Sequence, residues 1–300
     1  MARQPTLKQL KYLCAVAEHQ HFGRAAEACY VSQSTLSAGI QELEESLSAS
    51  LIERNNRNVL LTSLGQDVVV RAQEILVDVE EMLSLCAAAD EPFTGKMRLG
   101  VIPTVAPFIL PPLLSSLRKE HPDFKLFIRE DLSHQLVAGL HAGELDVLLL
   151  ALPFPADAVD VMSLITDNFL LASPAGHPLA DKAALTTSDL QGEDLLLLED
   201  GHCLRDHALE ACELRDSQIS VPYQATSLAT IVQMVANGIG VTLLPEMSVA
   251  AGITAGTDIV VTPFQRTGVA RKVGLMWRRK TPRAAEYRLL GEKIKAYAAK

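Results

Sequence analysis

HFGRAAEACYVSQSTLSAGIQELEESLSASLIERNNRNVLLTSLG, residues 21–65, decides how the rest of the chain is read. Its middle, VSQSTLSAGIQELEESL, has the signature of a helix. Ser32 is a good N-cap, and Leu36, Ile40, Leu43 and Leu47 recur at steps of 4, 3 and 4. Ser32, Gln33, Ser34, Thr35, Ser37 and Gln41 gather around the outer face near its start. A surface helix that is polar there but nearly uncharged admits two readings. One is a solvated helix, where more Lys and Glu are expected. The other is a recognition helix, whose short polar groups reach base edges and phosphates. Before it, Ala25, Ala26 and Ala28 are small enough for two helices to approach closely. Leu7, Leu10, Cys14 and Ala17 form the inner face of a still earlier helix. After it, IERNNRNVLLT places an Asn-Asn turn between two short extended runs, with Arg54 and Arg57 beside it. That is the form of a hairpin wing carrying two phosphate-binding arginines. Acidic and basic residues roughly balance over residues 1–66, so charge gives no independent support.

Several features follow in fixed order: Ala25-Ala26-Glu27, Val31-Ser32-Gln33, Ser37 three residues before Ile40, a Leu-Glu pair, the Arg54 region and Leu61-Thr62-x-x-Gly65. Together they resemble the winged helix-turn-helix of LysR-type transcriptional regulators. Ser34 stands where Pro is common in that family, Cys29 where Leu is common and Ile52 where Phe is common. None of these departures removes a polar base-facing group. The resemblance implies double-stranded DNA as partner.

Thr62 or Ser63 caps the next helix, and Ser63-x-x-Gln66 fits a capping box. Within it Val68, Ala72, Ile75, Val79, Met82 and Cys86 step by 4, 3, 4, 3 and 4. That 3.5-residue period describes a short coiled-coil seam, favouring a dimerisation helix over one side of a buried globular helix. Two such subunits place two recognition helices on a two-fold promoter site. AADEPFTG, residues 88–95, reads as a linker.

The chain of 300 residues is too long for one ordinary core, and 48% hydrophobic content predicts packed domains. No apolar run reaches about 18 residues, and the N-terminus lacks the apolar stretch of a signal peptide. A cytoplasmic protein without a membrane segment is expected, and there thiols stay reduced. Five cysteines, with Cys14, Cys29 and Cys86 scattered, make no secreted disulfide framework. A net charge of −9 argues against a general nucleic-acid coat, although a whole-chain average hides local patches.

From Met97 onward short apolar runs alternate with helical stretches. The runs are MRLGVI, FKLFIRE, LDVLLLA, FLLAS, DLLLLE, GVTLLP, DIVVTPF and KVGLMW. The pattern predicts α/β units with parallel sheets, two rather than one, with the chain crossing near residues 163–168 and back near 264–271. Ligands in such folds bind beyond the carboxyl ends of strands, which points to the loops of Pro103-Thr104, Ser133 and Gly201-His202-Cys203. The arrangement is similar to the two periplasmic-binding-protein-like subdomains of LysR-type effector domains. The expected chain is therefore multidomain. A winged helix-turn-helix, all-α with a small β wing, spans residues 1–62, and a long linker helix spans 63–90. An α/β effector domain spans 91–300, with one subdomain at about 96–165 and 268–300 and the other at about 166–267.

LLLLEDGHCLRDHALEAC, residues 195–212, holds two of the five cysteines. Cys203, His202, His207 and Cys212 fit no standard zinc spacing, so no metal is expected. Cys14, Cys29 and Cys86 sit on apolar helix faces and read as small hydrophobes. Cys203 differs, because it lies at an expected helix N-terminus. Backbone N–H groups there favour a thiolate, and Arg205 or a protonated histidine adds to this. A thiolate attacks peroxide to give a sulfenic acid. Cys212 shares a face with Leu204, Ala208 and Ala211 and should be buried. Their separation along a helix is about 13 Å of rise, whereas a disulfide needs Cα atoms within about 7 Å. The pair cannot bond while the segment is helical, so a disulfide here acts as a switch rather than a staple.

This stretch, with ATSLATIVQMVANGIGVTLLP at residues 225–245, is similar to the peroxide-sensing members of the LysR-type family. The resemblance implies that Cys203 is peroxidatic and Cys212 resolving, and that His202, Asp206 and Thr104 serve the pocket. Ser133 precedes His134-Gln135-Leu136 where those relatives carry threonine; the hydroxyl is kept and the methyl lost. Arg271 falls in the stretch where they have an arginine near the pocket. The resemblance further implies hydrogen peroxide as signal, no cofactor, a homo-oligomer up to a tetramer, and RNA polymerase as a partner. Two other functions compete. One is a LysR-type regulator that binds a small organic effector in the cleft, its cysteines incidental. The other is a peroxide-consuming enzyme, which would leave residues 1–66 without purpose and lacks a CxxC pair. A non-enzymatic activator is the expectation.

Overall fold

The computed structural model describes residues 4–54, 59–87, 92–212, 224–265 and 268–298. The chain forms two compact units, one mostly of residues 1–89 and one mostly of residues 90–300.

In the first unit, α1 (Leu7–His19) starts at a full capping box, Thr6 with Gln9. Helices α2 (Phe22–Ala28) and α3 (Gln33–Leu47) follow. Ser32 caps α3 as expected, accepting from the Thr35 N–H at 3.2 Å. Strands β1 (Ile52–Arg54) and β2 (Val59–Leu61) pair antiparallel, Ile52 opposite Leu61, and form the wing. The core is built on Leu10, Leu13, Val16, Ala25, Ala26, Leu36, Ile40, Leu43 and Leu51. Leu47, the last residue of α3, is exposed instead of continuing that stripe. The inner face of α1 runs through Leu13 and Val16; Cys14 and Ala17 are only half-buried and Leu7 is exposed. Leu7 is the first helical residue. Ala28 is exposed too, so the close approach rests on Ala25 and Ala26 alone.

Helix α4 (Ser63–Ala87) begins one residue earlier than a Ser63–Gln66 box requires. Thr62 is the cap: its Oγ1 accepts from the Gly65 N–H at 2.9 Å and donates to the Ser50 carbonyl at 3.0 Å. Along the seam Ala72 is buried, Val68 and Val79 are half-buried, and Ile75 and Met82 are exposed on the single chain. The Cys86 side chain lies outside the described part. Gly65 explains the Leu-Thr-x-x-Gly closure, since a Cβ there would run into the Leu51 carbonyl, which is backbone and cannot swing away. Gly65→Ala is expected to cost about 1–3 kcal/mol of overpacking strain. The denaturant midpoint of the winged-helix transition reads this, and an unchanged midpoint contradicts it.

In the second unit, β3 (Lys96–Val101) pairs parallel with β4 (Lys125–Glu130) and β5 (Val147–Leu152). The crossovers are α5 (Ala106–Glu120) and α6 (Ser133–His141). Two long strands, β6 (Val159–Pro174) and β11 (Ala270–Arg278), pair antiparallel with each other along their length. Between them in sequence come β7 (Leu197–Leu198), α7 (Cys203–Ala211), β8 (Gln224–Ala225), α8 (Leu228–Ala236), β9 (Thr242–Pro245), α9 (Glu246–Ala250) and β10 (Ile259–Pro263). Helix α10 (Ala284–Ala298) closes the chain. The main sheet runs β10-β6-β11-β5-β3-β4, with β9 also on β6.

The expected parallel sheets are thus corrected to a mixed one. Strands β5, β11, β6, β9 and β10 pair antiparallel, while among the described strands β3 with its two neighbours and β7 with β8 are parallel. The crossing near 163–168 is continuous strand, not a linker. Residues 159–168 mix exposed and part-buried positions with the buried Asp167, so they carry no continuous apolar run. Two separate cores do form. One surrounds β3 and β5 with Val101, Leu149, Leu275 and Trp277. The other packs Leu195–Leu198 against Ile231, Val232 and Leu243. No described helix is long and apolar enough to cross a membrane.

Candidate thiol site and nucleic-acid interface

Helix α7 starts at Cys203, with His202 as its N-cap residue, and ends at its C-cap Cys212. Before it Gly201 has a φ of +97°, a conformation L side chains rarely adopt, which turns the chain sharply off β7. The turn brings His202 and Cys203 against the Thr104 turn after β3 and against Ser133 at the start of α6. Together with Ile102, Pro103, Leu132 and Gly201 they line a cavity of about 10 Å³. That is the space one water-sized molecule needs.

Cys203, Ser133 and Thr104 are all buried. Burial pushes the Cys203 thiol above its ordinary value. The Ser133 hydroxyl, the Arg271 charge and the Ala151 backbone pull it back, and Asp206 pushes it up again. Among the described residues the Ser133 hydroxyl has no other hydrogen-bond partner. Two expectations drawn from the helix start are therefore corrected. The thiol is held protonated by desolvation, and the cation that acts on it is Arg271, because Arg205 pairs with Asp200 at 3.3 Å. Burial also lowers the pKa of His202 and His207, so neither supplies a positive charge at neutral pH.

Arg271 does not line the cavity but holds it from behind. Its Nη1 donates to Thr104 Oγ1 at 2.8 Å and its Nη2 to the Thr104 carbonyl at 3.0 Å. Asp206 is exposed on α7 and is not part of the lining. Cys212 packs in the other core, with Leu204 and Ala208, and burial pushes its thiol up to about 12. The two thiols thus sit in different hydrophobic cores, nine residues of helix apart. Among the described residues no group of three or more potential metal ligands forms.

The Cys212 shift carries a pH prediction. A thiol whose folded pKa is raised from 9.0 to about 12 contributes stability that is fully present below pH 9 and lost as pH rises through that window. Urea midpoints of the reduced protein should fall across it, and Cys212→Ala should flatten the decline; an identical decline in that variant contradicts the assignment.

On α3, Gln33, Ser34, Thr35 and Gln41 are exposed and Ser37 is half-buried. Ser32 is occupied as a cap, with its Oγ also 2.9 Å from Ser34 Oγ and 2.7 Å from Thr35 Oγ1. Arg54 lies on β1 with its side chain outside the described part, and Arg57 lies outside the described residues. Sequence reasoning passed over Tyr30, which is 94% exposed with a φ of +56° two residues before the α3 cap. It also missed Asp167, the buried partner of Arg271 at 2.9 Å. A single Asp inside a strand, 104 residues from its partner, leaves no local signal beyond being polar amid SLITDNFLL.

This geometry, a winged helix-turn-helix followed by a two-core α/β unit, agrees with known proteins. Residues 7–66 match the model of the bacterial regulatory helix-turn-helix protein, lysR family, and residues 90–299 match the LysR substrate binding domain. The chain belongs to the LysR family of transcriptional regulators. It is 39% identical over 299 residues to the HTH-type transcriptional regulator EstR of Acinetobacter baylyi, covering 100% of this chain and 99% of that one. It is 40% identical over 294 residues to a probable hydrogen peroxide-inducible genes activator of Streptomyces viridosporus, covering 98% and 94%. A solved full-length OxyR variant from Pseudomonas aeruginosa superposes with a TM-score of 0.80 at 36% identity, covering 98% of this chain and 95% of that one.

Proposed function

We propose that this regulator senses hydrogen peroxide through Cys203 and Cys212 and converts their oxidation into a change in how it engages DNA. The observation that carries the reading is the cavity at Cys203. It has a thiol in its wall, the hydroxyls of Thr104 and Ser133 around it, and room for about one water-sized molecule. Peroxide exceeds water by a single oxygen atom and needs only a small adjustment to fit, while an organic effector needs a far larger site.

The chemistry follows from these groups. Thr104 Oγ1 already accepts from Arg271, so its own proton is free to be donated into the cavity. The Ser133 hydroxyl is directed at the Cys203 thiol. The Cys203 thiolate attacks one peroxide oxygen, an S–O bond forms and the O–O bond breaks. The leaving oxygen departs as hydroxide and takes a proton to become water. Sulfur is oxidised to a sulfenic acid and peroxide is reduced. Cys212 then gives up its proton and its sulfur attacks that of the sulfenic acid; the S–S bond forms, the S–O bond breaks, and the hydroxide that leaves takes the proton to become water. Because α7 separates the two by about 13 Å of rise, at least one cysteine must leave its core and α7 must unwind. His202 lines the pocket as a neutral side chain, and Asp206 opposes thiolate formation from outside it.

On the DNA side, Gln33, Ser34, Thr35, Ser37 and Gln41 read the major groove, with Arg54 and Arg57 on phosphates and Ser32 holding the helix start. The exposed Ile75 and Met82 mark the α4 face that pairs in a dimer, which assembles further into a tetramer. Action in the cytoplasm through RNA polymerase, as an activator without enzymatic turnover, completes the reading. A free-thiol count before and after micromolar peroxide tests it. Two thiols lost per chain is the expected result; no loss overturns it and favours an organic effector.

A further inference from the structure

Arg271 and Asp167 face each other as register partners on β11 and β6, which pair antiparallel along the length of β11. Their side chains are 0% and 1% exposed. The Arg271 Nε donates to Asp167 Oδ2 at 2.9 Å, while Nη1 and Nη2 reach Thr104. Nη2 also lies 3.9 Å from Met247 Sδ. The other Asp167 oxygen accepts from the Met247 N–H at 3.0 Å, in the first turn of α9. One carboxylate thus fixes the guanidinium that fixes the Thr104 turn.

We propose that Asp167 is a positioning residue for the thiol pocket: by anchoring and neutralising Arg271 it turns the Thr104 hydroxyl proton toward the cavity and leaves Cys203 beside a neutral pair instead of a bare buried cation. The inference rests on Cys203 being the reactive thiol. Arginine cannot shed its charge by deprotonating, so loss of the carboxylate leaves a buried guanidinium without its carboxylate partner. The groups that act on Cys203 are Ser133 from α6, Arg271 from β11, the Ala151 backbone from β5 and Asp206 on its own helix. Those that act on Asp167 are Arg271, the Met247 N–H and Glu246. The Arg271 charge also reaches His207. Asp167 therefore has two separable effects: its charge restrains thiolate formation, and its position aims a donor at peroxide.

The test measures two rates at Cys203 by peptide mapping of the full chain, alkylation by iodoacetamide and oxidation by hydrogen peroxide. In Asp167→Asn, alkylation at neutral pH should rise about tenfold, the low end of what one unbalanced neighbouring charge does, with its pH midpoint displaced downward. On the alkaline plateau, where every Cys203 is thiolate, peroxide oxidation should fall about tenfold as the Thr104 donor is released. Asp167→Glu keeps the charge and moves the carboxylate by one methylene, so alkylation should stay native while plateau oxidation still falls. Native values of both rates in a folded Asp167→Asn overturn the proposal. If that variant does not fold, native plateau oxidation in Asp167→Glu overturns it. Should the native protein itself resist peroxide, the sensing function fails, while the alkylation midpoint still decides the role of Asp167.

Discussion

Cys203→Ser abolishes the peroxide-dependent change in the DNA footprint and leaves the reduced footprint in place. The substitution exchanges one side-chain atom for a smaller one and keeps the rest of the residue, so the packing at the start of α7 changes little. What disappears is the nucleophile, since serine is barely ionised near neutral pH and does not attack peroxide. The remaining thiol, Cys212, is buried and held protonated, with its pKa pushed up to about 12, and does not take over the reaction. Footprinting over a peroxide titration is the measurement. A variant whose footprint still shifts with peroxide would place the sensing thiol elsewhere in the chain.

Arg271→Met unfolds the second unit at a markedly lower denaturant concentration. Removing the guanidinium leaves the Asp167 carboxylate buried with the Met247 N–H as its one remaining hydrogen-bond donor described. Breaking one side of a buried pair costs about 3–5 kcal/mol, a large share of the roughly 5–15 kcal/mol that holds a domain together. The loss is pH-dependent in a defined direction. Burial already raises the Asp167 pKa and Arg271 lowers it, so without Arg271 the carboxyl takes up a proton more readily. The penalty in Arg271→Met therefore shrinks as pH falls and is fully felt once pH rises above the new pKa. The double variant Arg271→Met with Asp167→Leu should recover much of the loss, because an apolar pair of similar volume needs no compensation. Urea midpoints at two pH values measure all of this, and an Arg271→Met midpoint equal to the native one contradicts it.

The parts of this protein readable in its sequence were those written in local patterns. Ser32 and the Leu36-Ile40-Leu43 stripe specify α3 within fifteen residues, and the structure places each as expected. Eight apolar runs became strands, and Cys203 did open a helix. What stayed hidden depends on pairing at long range. The antiparallel direction of β11 and the strand character of residues 159–168 follow from partners more than a hundred residues apart. The same holds for the electrostatics of the thiol. A helix start and Arg205 suggested an easily ionised Cys203, but Arg205 turns to Asp200 and burial dominates. Only the fold brings Arg271, Thr104 and Asp167 together. Asp206 shows the converse: the resemblance implied a place in the pocket, yet it is exposed on α7 and does not line the cavity.

The central claim is that bonding Cys203 to Cys212 is incompatible with α7. Amide hydrogen exchange over residues 203–212, measured on reduced protein and on protein in which that disulfide has been formed with peroxide, tests it most directly. The geometry predicts that the α7 amides are protected when reduced and lose protection when the bond forms. A mapped Cys203–Cys212 disulfide with α7 protection intact would contradict the account.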